Sequence, residues 1–107
     1  MFIESNTQMP LITRENNTIL VCFDEQTITR EENTIYTYQG VRVPFPYTYP
    51  TVVAAIIKDQ YDDDQREAII NNHLDEDPSP EHEAEFAALQ AWRHHAKEVA
   101  HLVCDPS

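Results

Sequence analysis

The chain has 107 residues, with seven Lys or Arg against 19 Asp or Glu, and a net charge of −12. This length predicts one domain, 1–107, and 41% hydrophobic residues indicate a folded chain rather than a disordered one. The charge argues against binding to nucleic acid or to an anionic membrane, because phosphate binding needs clustered Lys and Arg. Gly40 is the only glycine, which excludes Gly-rich phosphate-binding loops.

Residues 1–43 are predicted to be β-rich. Apolar and β-branched runs of strand length alternate with turn-forming residues, and Asn16 and Asn17 tolerate the positive φ that tight hairpins need. We expect a small antiparallel meander of three to five strands. The predicted strands are Leu11–Thr13, Thr18–Phe23, Gln26–Thr29 and Thr34–Tyr38.

Residues 44–50 form a connector with three prolines and three aromatic residues. Proline fixes its own φ and favours extended backbone before it, so this segment should not be helical. Its aromatic residues either cover the core or form an exposed surface that contacts a partner. These candidate contact residues are Phe45, Tyr47 and Tyr49, together with Trp92 farther along the chain.

Three helices are predicted over 51–105. Pro50 fits the first turn of the first helix, Asp62 with Gln65 resembles a capping box for the second, and Ser79 with Pro80 begins the third. The breaker Asp75–Pro78 separates the second from the third. Each helix has an apolar face. Its members are Val52, Val53, Ile56 and Ile57, then Ala68, Ile69, Ile70 and Leu74, then Phe86, Leu89, Trp92, Ala96, Val99 and Val103.

The third predicted helix spans about 25 residues and has a long apolar stripe. Either the other helices cover this stripe, which gives a monomer, or its Ala96–Val103 end meets a second copy. We expect a weak homodimer through 79–104 that dissociates on acidification, as His94, His95 and His101 become charged.

One spacing resembles that of metal ligands. His94, Glu98 and His101 share a helix face, but a tetrahedral site needs ligands from other elements, and the order differs from the HExxH motif. We interpret them as a solvated face. The acidic runs Asp62–Asp64 and Asp75–Asp77 are interpreted as helix-start and loop residues, because an EF-hand order is absent.

No catalytic residue or cofactor is predicted. Cys22 lies inside an apolar run and should be inert, and Cys22 and Cys104 lie in opposite halves of the chain, with no CxxC and no spacing that suggests zinc. The first residues lack the pattern of a secretory signal, and no run of 18 apolar residues occurs, so a cytoplasmic location is expected.

The segment from Tyr47 to Val99 resembles small uncharacterised proteins of gut bacteria that are often encoded among prophage or mobile-element genes, near phage structural genes. The resemblance depends on Ala68-Ile69-Ile70-Asn71-Asn72 and on Trp92-Arg93 followed by Ala96-Lys97, and it leaves out the first 43 residues. It implies a structural or assembly role in a phage-like particle, including its tail, and no catalytic residue.

The sequence therefore predicts a non-enzymatic structural or interaction protein that binds a protein partner. An alternative is an acidic mimic of nucleic acid that occupies a basic protein surface. It is suggested by the acidic second half of the chain, which from Asp59 onward has 13 carboxylates and only three Lys or Arg. Binding by a mimic should weaken steeply with salt, whereas aromatic docking should not.

Overall fold

A computed structural model describes residues 1–75 and 79–104. Within these residues an antiparallel sheet occupies the N-terminal half and three helices follow, which confirms the predicted α+β fold. The elements are β1 Phe2–Ser5, β2 Ile12–Glu15, β3 Thr18–Arg30, β4 Asn33–Pro44, α1 Tyr49–Gln60, α2 Asp63–His73 and α3 Pro80–Cys104.

The strand order is β1-β4-β3-β2, so β2, β3 and β4 form the meander and β1 adds to the far edge of β4. The predicted break after Phe23 was wrong, because β3 continues through a register shift between Phe23 and Gln26. This bulge places Asp24 and Glu25 opposite Tyr38 alone, and the extra residue is accommodated at Asp24, whose φ of 56° lies in the left-handed region. Two-residue turns join β2 to β3, with Asn16 at a φ of 44°, and β3 to β4.

The two faces of the sheet bury different clusters. The larger cluster lies between the sheet and helices α1 and α3, and its fully buried members include Ile19, Val21, Val43, Val52 and Ile56. On the opposite face, Leu20, Cys22 and Tyr38 pack with Ile3 and Met9 from the N-terminal segment. Ile3 crosses directly over Gly40, where an added Cβ would collide with the isoleucine side chain, so this contact requires the glycine.

Helix starts follow the predicted capping. Asp62 accepts from the backbone N–H of Gln65 at 2.7 Å, and the Gln65 side chain accepts from the Asp62 N–H at 2.9 Å, which completes a capping box. Ser79 Oγ accepts from the His82 N–H at 3.2 Å, and Pro80 is the first residue of α3. The predicted connector is shorter than expected, since Pro44 still belongs to β4 and Tyr49 already belongs to α1.

The apolar faces of α1 and α3 are buried largely as predicted. Leu89, Ala96, Val99 and Val103 of α3 are at most 4% exposed, and Phe86 and Trp92 are half-buried. In α2 the predicted face was partly wrong, since Ile69 and Ile70 are half-buried but Ala68 and Leu74 are exposed. Leu74 is 73% exposed because it lies at the C-cap, beyond the last turn that contacts α3. Of the predicted loop Asp75–Asp77, only Asp75 lies within the described residues. Asp105 also lies outside them.

Candidate functional site

The predicted contact aromatics of the connector divide into two groups. Tyr47 and Tyr49 pack against the larger core cluster, and the Tyr49 ring lies 4.7 Å from the ring of His101. Phe45 is 36% exposed, and the Arg14 guanidinium lies 4.5 Å above its ring centre. Two of these aromatics therefore cover the core, and Phe45 remains at the surface in a cation–π contact.

Trp92 joins α3 to α1 and to the sheet. Its indole Nε1–H donates to the Ile56 carbonyl oxygen at 3.1 Å, and its ring centre lies 6.2 Å from that of Phe23. The side chain is half-buried, so part of the ring faces a depression in the surface. Trp92 is thus both a packing residue and a residue accessible to a ligand.

The bulge of β3 brings a carboxylate to this same depression. Asp24 Oδ1 lies 2.7 Å from His95 Nε2, and the His95 ring lies 6.0 Å from Phe23 and 5.7 Å from Trp92. A regular strand would not leave Asp24 in this position, because its backbone is left-handed here. The histidine fixes the carboxylate beside the tryptophan.

Asp24 and Trp92, but not His95, border a concave site of about 180 Å³, which we name the aromatic groove. Its aromatic lining residues are Phe2, Trp92 and the buried Tyr38, and Asp24 supplies a carboxylate. Its other polar groups include the side-chain amides of Gln26, Gln39 and Gln60. Phe2 is 63% exposed, so a large apolar ring stands open to solvent at this site.

On the other face of the sheet, the bulge residue Glu25 anchors a buried tyrosine. The Tyr38 hydroxyl donates to Glu25 Oε1 at 2.6 Å and accepts from the Met9 N–H at 2.8 Å. Burial and the bond to Glu25 raise the pKa of Tyr38 above its ordinary value. This network fixes the segment before β2 to the sheet.

Only two of the three residues with metal-ligand spacing meet. His94 Nε2 pairs with Glu98 Oε1 at 3.1 Å, whereas His101 lies against Tyr49. Among residues 1–75 and 79–104, no group of three or more His, Cys, Asp or Glu is placed to hold a metal ion. The run Asp62–Asp64 serves the start of α2, where Asp62 caps and Asp63 pairs with Arg66.

The Ala96–Val103 end of α3, predicted to meet a second copy, packs within one chain. Ala96, Val99, Ala100 and Val103 all belong to the larger core cluster. The predicted homodimer, which stays a prediction, would need other residues of α3, of which Leu102 is 62% exposed.

Cys22 is expected to react with iodoacetamide far more slowly than Cys104. Cys22 is 4% exposed and Cys104 is half-buried. Burial raises the pKa of both thiols, and Glu15 raises that of Cys22 further, so little thiolate is available at neutral pH. Mass spectrometry of the alkylated peptides over time measures both rates. Equal rates in the folded protein, with both cysteines modified quickly in urea as a control, would contradict the burial of Cys22.

Sequence reasoning missed Phe2 and the pair Asp24–His95. The pair Phe2-Ile3 at the start of the chain was a usable signal, because alternation places the two side chains on opposite faces of a strand. The contact between Asp24 and His95 joins residues 71 positions apart and depends on a bulge. No local pattern in the sequence indicates that contact.

Comparison of the chain with protein-family models, curated proteins and solved structures finds no match. Across residues 1–75 and 79–104, none of the helices has the length and apolar character needed to cross a membrane.

Proposed function

We propose that the chain is a non-enzymatic interaction protein that joins a phage-like particle, or its assembly, by binding a protein partner. The observation that carries this proposal is the distal part of the β3–β4 hairpin, residues 26–35, which we name the arm. Residues 26–34 are all exposed, and only Ile35 is half-buried. An exposed two-stranded ribbon of this kind offers both faces and a strand edge to a partner.

The arm has one face suited to protein contact. Ile28 and Ile35 are cross-strand partners, so their side chains lie side by side on the face that carries Gln26 and Thr37. Ile28 is 38% exposed. On the opposite face, Thr27 pairs with Tyr36. An apolar pair at the centre of a polar arm is the arrangement found at protein interfaces.

The shape of the molecule also supports a role in reaching a partner. Its radius of gyration is 16.4 Å, whereas a compact domain of this length is expected to have about 13 Å. The principal extents are 50 × 39 × 25 Å. The extension exposes surface that a compact fold would bury, which favours a docking role over simple stability.

Replacement of Ile28 by aspartate tests the proposal in a strain that carries the gene and its particle genes. Particle yield is expected to fall at least about tenfold, the effect of losing about 1.4 kcal/mol of docking free energy. Thr27→Asp is the matched control, because it adds the same charge on the opposite face. Full particle yield after deletion of the gene would overturn the proposal.

A second candidate is the acidic mimic. The start of α2 exposes Asp62, Asp63 and Asp64, and the first turns of α3 expose Glu81, Glu83 and Glu85. Such a surface would attract a basic nucleic-acid-binding protein. The affinity for a basic protein partner would be measured at about 50 and about 200 mM salt. If it falls steeply with salt and Ile28→Asp leaves it unchanged, the mimic is favoured over docking through the arm.

A further inference from the structure

The aromatic groove is too small for a typical ligand molecule. Its volume of about 180 Å³ lies below the roughly 300–1,000 Å³ of small-molecule sites. It is also half polar, since Asp24, Gln26, Gln39 and Gln60 border it alongside the aromatic residues Phe2, Tyr38 and Trp92. A site of this size and composition fits one side chain that is both flat and polar.

The charge around the groove selects a cation. Among the described residues that border the groove, Asp24 has the only carboxylate and there is no Lys or Arg. The whole chain carries a net charge of −12. An anion would be repelled by this field, and a purely apolar side chain would leave the glutamine amide oxygens, and the Asp24 oxygen that does not contact His95, without a hydrogen-bond donor.

A guanidinium group satisfies both requirements. It stacks on aromatic faces, and its fork of N–H donors binds carboxylate and amide oxygens in one plane. The chain already uses this contact elsewhere, where the Arg14 guanidinium lies 4.5 Å above Phe45. An ammonium group would bind the carboxylate, but it has no planar face to stack on the rings and its three donors do not lie in one plane.

We propose that the aromatic groove binds an arginine side chain of the protein partner. The guanidinium lies against Phe2 and Trp92 and donates to Asp24, whose carboxylate His95 holds in place. This inference rests on the proposed function, because it names the chemistry by which that partner is recognised. The exposure of Phe2 is then accounted for, since its ring is covered in the complex.

The test is an NMR titration of the ¹⁵N-labelled protein with N-acetyl-arginine methylamide at constant ionic strength. We expect saturable shifts of the Trp92 indole N–H and of the glutamine side-chain amides, in the millimolar range of a single stacked cation. N-acetyl-citrulline methylamide, which has nearly the same shape and no charge, is expected to cause no saturable shift. Equal effects of the two probes would overturn the proposal.

Phe2→Ala should weaken binding of the arginine probe about fivefold, because it removes one aromatic face. The residue is 63% exposed, so the variant is expected to fold with an unchanged melting temperature. Phe45→Ala removes an exposed aromatic ring outside the groove and should leave binding unchanged. Undiminished binding by Phe2→Ala, or saturable shifts with N-acetyl-leucine methylamide alone, would overturn the proposal.

The outcomes separate the groove from the arm. If the arginine probe fails to bind while Ile28→Asp still lowers particle yield, the groove assignment is wrong and the proposed function stands. If the probe binds as expected and deletion of the gene leaves particle yield unchanged, the groove is a genuine cation site and the assembly role is wrong.

Discussion

Replacement of Val99 by aspartate is expected to abolish cooperative folding. Val99 is 4% exposed and belongs to the cluster between α3 and the sheet, so a carboxylate there would be taken out of water without a partner. Burial of this unpaired carboxylate lowers the free energy of unfolding by several kcal/mol, and the lost burial of the valine lowers it by about 1.5–3 kcal/mol more. A domain of this size has only about 5–15 kcal/mol of stability in total. Circular dichroism should show no thermal transition.

Leu102→Asp is the matched control, because Leu102 lies on the same helix and is 62% exposed. Its melting temperature should stay within about 3 °C of the parent, as for an ordinary surface change. The pair of variants also tests the self-association prediction. If Val99 contacted a second copy rather than its own sheet, Val99→Asp would give a folded monomer in sedimentation experiments, and the assignment of Val99 to the core would be wrong.

The helices could be read from the sequence because their signals are local. Capping at Asp62 and Ser79 is decided by residues within one turn, and the apolar stripe of α3 repeats over 25 residues. Leu74 was wrongly assigned to the buried face of α2, because periodicity does not show where a helix stops contacting a neighbouring element. Its spacing fits the stripe of α2, but it lies at the C-cap and is exposed.

The sheet was only partly predictable, because strand pairing depends on distant residues. The order of strand, turn and strand predicted that Gln26–Thr29 pairs with Thr34–Tyr38 as a hairpin, and the observed register confirms this pairing. The addition of β1 to β4 depends on long-range contacts, among them the packing of Ile3 over Gly40 and the bond of the Met1 amino group to the Gly40 oxygen at 2.8 Å. No local pattern shows these contacts.

The candidate site was the least predictable part. Trp92 was identified as either a core or a contact residue, and its half-buried ring, bound to Ile56 and bordering the groove, has features of both. The groove itself requires a bulge in β3, an N-terminal strand and two helices to come together. Its residues run from Phe2 to Trp92, so sequence spacing carries no information about the site.

Replacement of Trp92 by alanine is expected to lower the free energy of unfolding by about 3 kcal/mol, towards the lower end for a large aromatic residue because the ring is half-buried. The change removes the contact with Phe23 and the hydrogen bond to the Ile56 carbonyl that links α3 to α1. Trp92→Phe keeps one aromatic ring and loses the N–H donor with part of the ring contact, so it should cost less, about 1–2 kcal/mol. Urea denaturation of the parent and the two variants, with m values that stay equal, would give both differences in the free energy of unfolding. A loss below about 1 kcal/mol for Trp92→Ala would show that the ring contributes little to the core, and Trp92 would then be a contact residue alone.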